Sequence, residues 1–253
     1  MKANIYQIKT NLDISFFTNW SNSKIIEEKK IKMNKIWFVS WSGGKDSCLA
    51  LYEALREGKK INYLLNFAVD GRVHGIKKEI IKVQADAIGI PLVQKVTSWK
   101  DYEKDFDNEV KKLKEKGIAG MIAGDIDIEE HLEWIRKKCN ELEIDYYEPL
   151  WKRNKEEILK KFVLSGFEAI VVFCIENMEF LIGKMINKDK LEEFIEILKN
   201  NKIDICGEKG EFHTFVINGP IFEKRLEIIE SEIKNYLGKW ILDIKKWGLR
   251  EKY

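Results

Sequence analysis

The chain has 253 residues, of which 45% are apolar, 34% charged and three are proline, so it can bury the core of one large domain or two modest ones. Its 44 basic and 42 acidic residues nearly cancel, and no long run of one sign appears, which argues against a dominant electrostatic footprint for nucleic acid. Apolar stretches such as AIVVFCI at 169–175 fall far short of the roughly 20 residues that span a bilayer, so no membrane-spanning helix is read.

Residues 1–33 are polar and weakly periodic, an N-terminal extension that is either appended to the domain or poorly ordered. From residue 36 short apolar runs alternate with amphipathic segments, the rhythm of a parallel sheet covered by helices. IWFVSW at 36–41 is the first strand, and Cys48, Leu51, Tyr52 and Leu55 follow on one helical face. YLLNFAVD at 63–70 is the next strand, a helix over 77–88 stops at Gly89, and LVQKV follows Pro91. Tyr102, Phe106, Val110 and Leu113 mark a further helix before IAGMIAG at 118–124; Leu132, Ile135, Cys139 and Leu142 mark another, and Glu156–Leu164 leads into AIVVFCI.

Five apolar runs alternating with helices predict an α/β fold with a doubly wound, Rossmann-like parallel sheet over 34–175. Beyond that the rhythm loosens into a helix at 189–199, a strand at 213–217 and a short element around WILDI at 240–244, predicting a smaller C-terminal α+β lobe over 176–253. The four cysteines, Cys48, Cys139, Cys174 and Cys206, show no CxxC or CxxH spacing, so neither a zinc knuckle nor a disulfide scaffold is indicated and a cytoplasmic location is expected. No hydrophobic signal segment is read near the N-terminus.

The sharpest motif is Ser42-Gly43-Gly44-Lys45-Asp46-Ser47, between a strand and a helix. Paired glycines let successive N–H groups turn inward at the positive end of the helix and cradle an anion. Ser42 and Ser47 add hydroxyls, and Lys45 is expected to supply a mobile charge that its neighbours do not cancel. The motif is neither a Walker A loop nor a GxGxxG fingerprint. A second polar cluster, Glu208, Glu211, His213 and Thr214, needs its own explanation. In a strand beginning near Glu211, alternation puts Glu211 and His213 on one face and Phe212, Thr214 and Val216 on the other. Two carboxylates and an imidazole there suit ammonia, a substrate or Mg²⁺. Gly124 and Asp125 end a strand on the same edge as the loop, where ligands bind in open parallel sheets, so Asp125 is a candidate for substrate contact or, with Asp46, for Mg²⁺. His74 is a candidate substrate contact, together with Lys77 or Lys78, and equally an ordinary surface histidine. His131 reads as structural, Cys48, Cys139 and Cys174 read as core, and the eight tryptophans form no regular stacking platform for single-stranded nucleic acid.

SGGKDS resembles the pyrophosphate loop of the N-type ATP pyrophosphatases. SGGKDSCLALYEAL at 42–55, VHGIKKEIIKVQADAIGIPLV at 73–93, IAGDI at 122–126, EPLW at 148–151 and CGEKGEFHTFVINGPIF at 206–222 together resemble the diphthine–ammonia ligase family. The resemblance implies an ATP-dependent, amide-forming ligase that adenylates a carboxylate, releases AMP and pyrophosphate, and transfers ammonia, as in the conversion of diphthine to diphthamide on elongation factor 2. It implies ATP and Mg²⁺ as cofactors, with Ser42, Gly43, Gly44, Lys45, Asp46 and Ser47 at ATP. It makes Lys45, Asp46, Glu211 and His213 catalytic, and His74, Gly124, Asp125, Glu208, Glu211 and Thr214 substrate-binding. A homodimer stays open, and no stable nucleic-acid or membrane partner is implied. The rival readings are a related pyrophosphatase acting on another carboxylate and a non-catalytic adenine-nucleotide-binding protein.

Overall fold

A computed structural model describes residues 35–69, 72–73 and 75–252; the extension read over 1–33 and the candidate His74 lie outside the described residues. Strand β1 (Ile36–Ser40) is central, flanked by β2 (Lys60–Val69) and β6 (Ile118–Ile122), with β5 (Leu92–Thr97) outside β2 and β7 (Asp145–Tyr147) outside β6, and all these pairings are parallel. A small antiparallel extension, β3 (Arg72–Val73) and β4 (Ile76–Lys77), continues from the end of β2.

The helices cover both faces. Cys48, Leu51, Ile80, Ile81, Ile158 and Phe162, from α1 (Lys45–Arg56), α2 (Lys78–Ile88) and α5 (Lys155–Leu164), pack with Val39, Leu64 and Ile122. Phe106, Val110, Ile135 and Cys139, from α3 (Tyr102–Glu115) and α4 (Glu129–Glu141), pack with Phe38, Leu65 and Met121 on the opposite face. Alternate residues of one strand thus feed two cores, which is why β1 reads as an unbroken apolar run rather than as an alternating one. Gly89, at φ +78°, stops α2 in the left-handed conformation.

AIVVFCI is a strand, β8 (Glu168–Cys174), but it does not extend the parallel sheet. It pairs antiparallel with β9 (Met185–Ile186), β10 (Phe212–Asn218) and β12 (Lys239–Glu251), and β11 (Lys224–Tyr236) completes this second, five-stranded sheet. The fifth parallel strand is instead the short, polar Asp145–Tyr147. An apolar run is buried on both faces in either kind of sheet, so its composition does not reveal its partners. Helix α6 (Leu191–Asn200) lies between β9 and β10. The element expected around 240–244 is part of a long ribbon in which β11 and β12 each run for 13 residues. Val171, Phe212, Phe215, Val216, Leu226 and Leu242 of this second sheet share the core of α1 and α2, which brings β10 against the start of α1.

Candidate active site at the seam of the two sheets

The loop after β1 is held from several directions. Trp41 N–H still follows the ladder, donating to the Leu65 carbonyl at 2.8 Å, and Asn66 Nδ2 donates to the Trp41 carbonyl at 2.7 Å. The chain then turns at Gly43, at φ +78°, where a Cβ would lie 2.6 Å from Gln84 Oε1. Gln84 is fully buried; its Nε2 donates to the carbonyls of Gly43 at 2.9 Å and Val216 at 2.7 Å, and its Oε1 accepts from Trp41 Nε1 at 3.1 Å. From the second sheet, Val216 N–H donates to the Gly43 carbonyl at 3.0 Å, and Thr214 Oγ1 accepts from Lys45 N–H at 3.0 Å. Inside the loop Ser42 Oγ accepts from Gly44 N–H at 3.2 Å and lies 3.2 Å from Ser47 Oγ.

Lys45 differs from the expectation of a mobile, uncancelled charge. Its residue is 3% exposed, and its Nζ pairs with Asp46 Oδ2 at 2.7 Å and donates to the Cys206 carbonyl. Burial alone would lower its pKa, but the Asp46 carboxylate outweighs that and holds it above the ordinary lysine value. The ammonium therefore stays charged, positioned between the loop 42–47 and the turn preceding β10. Burial raises the pKa of Asp46 against the pull of Lys45, and Asp125 adds to the rise. Its Oδ1 is buried without a hydrogen-bond partner.

Gly124 sits where β6 ends against the start of α1. A Cβ on it would lie 2.8 Å from the backbone carbon and oxygen of Asp46 and 2.9 Å from Ser47 N, so a residue expected to touch substrate has a packing role there. Asp125 follows, and its Oδ1 lies 2.9 Å from His131 Nδ1. That bond raises the His131 pKa, against burial, and makes His131 part of the site rather than the bystander its sequence suggested.

In the turn before β10, Asp204 Oδ1 accepts from the N–H groups of Cys206 at 2.9 Å and Glu208 at 3.3 Å. Glu211 takes the N–H of Asp204 at 3.2 Å on one oxygen and that of Lys209 at 3.0 Å on the other. Its carboxylate is the brace of this turn. The β8–β10 register shifts between His213 and Thr214, and such an irregularity breaks strict alternation; Phe212, His213 and Thr214 all line one cavity, and His213 stacks on Phe173 with centroids 4.8 Å apart. Burial first, then Asp46 and Asp125, push Glu208 up to about 7 against the pull of Lys45. Glu148, just past β7, is likewise pushed up to about 7 by burial and Asp125. Cys206 is buried with its thiol pushed up to about 12, which suits packing rather than nucleophilic work.

These groups line a cavity of about 1000 Å³. Of the candidates, Ser42, Gly44, Lys45, Asp46, Ser47, Gly124, Asp125, Glu208, His213 and Thr214 border it, while Gly43 and Glu211 are buried behind it. Lys77 is engaged elsewhere, 3.2 Å from Asp243 Oδ1. Sequence reasoning missed Gln84 and Asp204. A glutamine on the stripe shared by Ile80, Ile81, Ala85 and Ile88 is the signal for the first; nothing in the sequence distinguishes Asp204. Among the described residues no group of three or more His, Cys, Asp or Glu is placed to hold a metal by itself, and no helix is long and apolar enough to cross a membrane.

The family model described as the diphthamide synthase N-terminal domain matches residues 35–145, and that of the diphthamide synthase C-terminal domain matches 154–249. The diphthine–ammonia ligase of Rattus norvegicus is 26% identical over 220 residues, covering 76% of this chain and 82% of the relative. That of Homo sapiens is 25% identical over 221 residues, with the same coverage. A solved structure described as a predicted subunit of tRNA methyltransferase from Methanocaldococcus jannaschii covers 74% of this chain and 98% of its own at 14% identity and a TM-score of 0.41, a similarity too loose to bear on function. With a phosphate-type loop and an acidic turn meeting at Lys45, and both halves matching the same enzyme, the chain belongs to the diphthine–ammonia ligase family of AMP-forming carbon–nitrogen ligases.

Proposed function

We propose that the chain activates the carboxylate of diphthine on elongation factor 2 with ATP and converts it to the amide with ammonia, all within the cavity between the two sheets. The observation that carries this reading is that the loop 42–47 and the turn 204–211 are joined through Lys45, so that phosphates and the carboxylate to be activated meet at one ammonium. A carboxylate by itself does not react usefully with ammonia. Its oxygen attacks the α-phosphorus, the bond to the β-phosphate breaks, and pyrophosphate leaves. Ammonia then attacks the acyl carbon, the acyl–oxygen bond breaks, and AMP departs with its electron pair.

The protein's part is alignment and charge. The start of α1 presents its positive end to the phosphates, Ser42 and Ser47 supply hydroxyls, and Lys45 faces the charge that develops on the departing pyrophosphate. Glu208, poised near neutrality by its burial and its acidic neighbours, takes the proton that ammonium must lose before nitrogen can attack. His131 and Asp125 form the opposite edge. Mg²⁺ characteristically takes one or two carboxylates and completes its shell with phosphates and water. The orphaned Asp46 Oδ1 and the neighbouring Asp125 fit that demand, and the ion when bound would neutralise phosphate charge. Incubating the pure chain with ATP, Mg²⁺, ammonium and diphthine-bearing elongation factor 2 tests the reading. Equal yields of AMP, pyrophosphate and carboxamide are expected; ADP and phosphate, or no amide, would overturn it.

A further inference from the structure

The cavity has a wall that neither the phosphate loop nor the acidic turn explains. Phe67 near the end of β2, Trp99 just beyond β5, Tyr102 at the start of α3 and Trp134 on α4 all border it. Their rings are gathered around Tyr102, whose centroid lies 5.0 Å from Phe67, 6.0 Å from Trp99 and 6.1 Å from Trp134, at tilts of 54°, 32° and 49°. Rings tilted in this way offer a curved wall rather than a flat platform. Trp99 is 78% exposed, so much of its surface is open to a ligand. Negative charge stands beside the wall: Asp125 acts on the Tyr102 hydroxyl, whose pKa is raised by burial first and by that carboxylate second. His131, one turn ahead of Trp134 on α4, anchors the same aspartate. Among the described residues, lysines and arginines lie over other rings, such as Trp37, Tyr147 and Trp151, and none lies over these four.

Aromatic faces attract cations, and they suit best a cation with no N–H to donate, since it asks for no hydrogen bonds. A purine also stacks on rings, and its amino group can donate to a carboxylate, but it carries no charge for Asp125 to attract, whereas a quaternary ammonium gains from both the ring faces and the carboxylate.

We propose that Trp99, Tyr102 and Trp134, backed by Asp125, form a binding site for the quaternary ammonium of an α-trimethylammonio carboxylate, and so select the acid that is activated. This inference rests on the proposed function, since in diphthine the trimethylammonium and the carboxyl hang from one carbon, and a cation site must then adjoin the phosphate loop. The fold supplies that adjacency. Asp125 is next in sequence to Gly124, which packs directly on the backbone of Asp46 and Ser47, so the aromatic wall and the loop meet across two consecutive residues.

The test is a tryptophan-fluorescence titration of the full chain with α-trimethylammoniobutyrate and with its neutral tert-butyl isostere, in the parent, Trp99→Leu and Tyr102→Leu. Trp134 is left in place because it also packs on Phe106, with centroids 4.8 Å apart. The cationic acid is expected to bind on the order of tenfold tighter than its isostere in the parent. Either substitution should erase that preference and leave ATP affinity within about twofold of the parent, as read by calorimetry in the same variants. Equal binding of the two acids, saturable binding of neither, or a loss of ATP affinity in Trp99→Leu, which would assign the rings to adenine, overturns the proposal. AMP release on diphthine is scored separately: a chain that prefers the cation but forms no AMP refutes the activity and leaves the site standing.

Discussion

Replacing Gly124 by alanine tests whether the end of β6 sets the position of the phosphate loop. The added methyl would start 2.8 Å from the backbone carbon and oxygen of Asp46 and 2.9 Å from Ser47 N. Ordinary carbon contacts begin near ~3.5 Å, so β6 and α1 must separate by about 0.7 Å. Neither side yields easily, because the opposing atoms are backbone and α1 is anchored by the wholly buried Cys48 and Leu51. Overpacking of this kind costs about 1–3 kcal/mol, which for a chain of this size lowers the melting temperature by roughly 2–12 °C. The displacement also falls on the residues proposed to meet the phosphates, and a shift approaching 1 Å can cost on the order of 100-fold in rate. AMP release should therefore drop between about tenfold and 100-fold while the chain stays folded at 25 °C. Gly166→Ala is the control: its Cβ would meet nothing within 4 Å, but its φ is +92°, so it should lower stability through backbone strain and leave the rate alone. A Gly124→Ala enzyme that melts with the parent and releases AMP within about twofold of its rate would refute the packing argument.

Lys45→Met leaves the partly buried Asp46 without its ammonium and should cost about 1–3 kcal/mol by denaturant titration, together with a fall in AMP release of at least about 100-fold; adding Asp46→Asn should recover stability and not rate. For Glu208 the folded pKa of about 7 lies above the ordinary glutamate value of 4.5, so the folded state holds the extra proton and this contribution to stability, complete below about pH 4.5, is lost as pH rises through about 7. Glu208→Gln should thus flatten the fall in stability between those limits, and it should remove the apparent ionisation near pH 7 from the rate of amide formation with ammonium. Gln84→Leu orphans the Val216 carbonyl and the Trp41 indole N–H, a loss of about 2–5 kcal/mol with weakened ATP binding by calorimetry. Glu211→Gln keeps the bulk and loses one of two backbone contacts, so hydrogen exchange at the Asp204 and Lys209 amides should quicken while ATP affinity holds.

The parallel sheet was legible because each of its longer strands is an apolar run bounded by an amphipathic helix, and the glycine pair beside Lys45 marked the turn between β1 and α1 without tertiary information. Three kinds of feature were hidden. Asp145–Tyr147 is a three-residue strand with two exposed side chains, too short and too polar to announce itself, and its place was taken by AIVVFCI, whose real partners lie in another sheet. The direction of Thr214 relative to His213 depends on a register shift against β8 between the two, a property of two strands that neither sequence carries alone. The environment of Lys45 arises from the Cys206 carbonyl, 161 residues away, and no local pattern signals that a lysine in a glycine-rich turn will be buried. The aromatic group was scattered for the same reason: Phe67, Tyr102 and Trp134 come from three elements and Trp99 from the turn before one of them, and they meet only once the sheet orders them.

The charge around the cavity explains why the two sheets must act as one. Asp46, Asp125 and Glu208 influence one another, and Lys45, the best buried cation among them, is already committed to Asp46. Phosphates brought to the loop add negative charge to a region with little to spare against it, so their binding alone is opposed. The proposed reaction also brings cations: the metal ion that would meet the free oxygen of Asp46, the ammonium that would meet Glu208 and the quaternary ammonium that would meet the aromatic wall. Each arriving cation lowers the electrostatic cost of ATP, and bound ATP in turn strengthens the pull on each cation, since coupling between two sites is reciprocal. The hydrogen bonds from Lys45 N–H to Thr214 Oγ1 and from Val216 N–H to the Gly43 carbonyl keep these charges within one cavity. A loop detached from the second sheet would retain its backbone cradle and lose that coupling, so Thr214→Val, which removes the acceptor for Lys45 N–H with little change in shape, should weaken the mutual enhancement of ATP and substrate binding more than it weakens ATP binding alone.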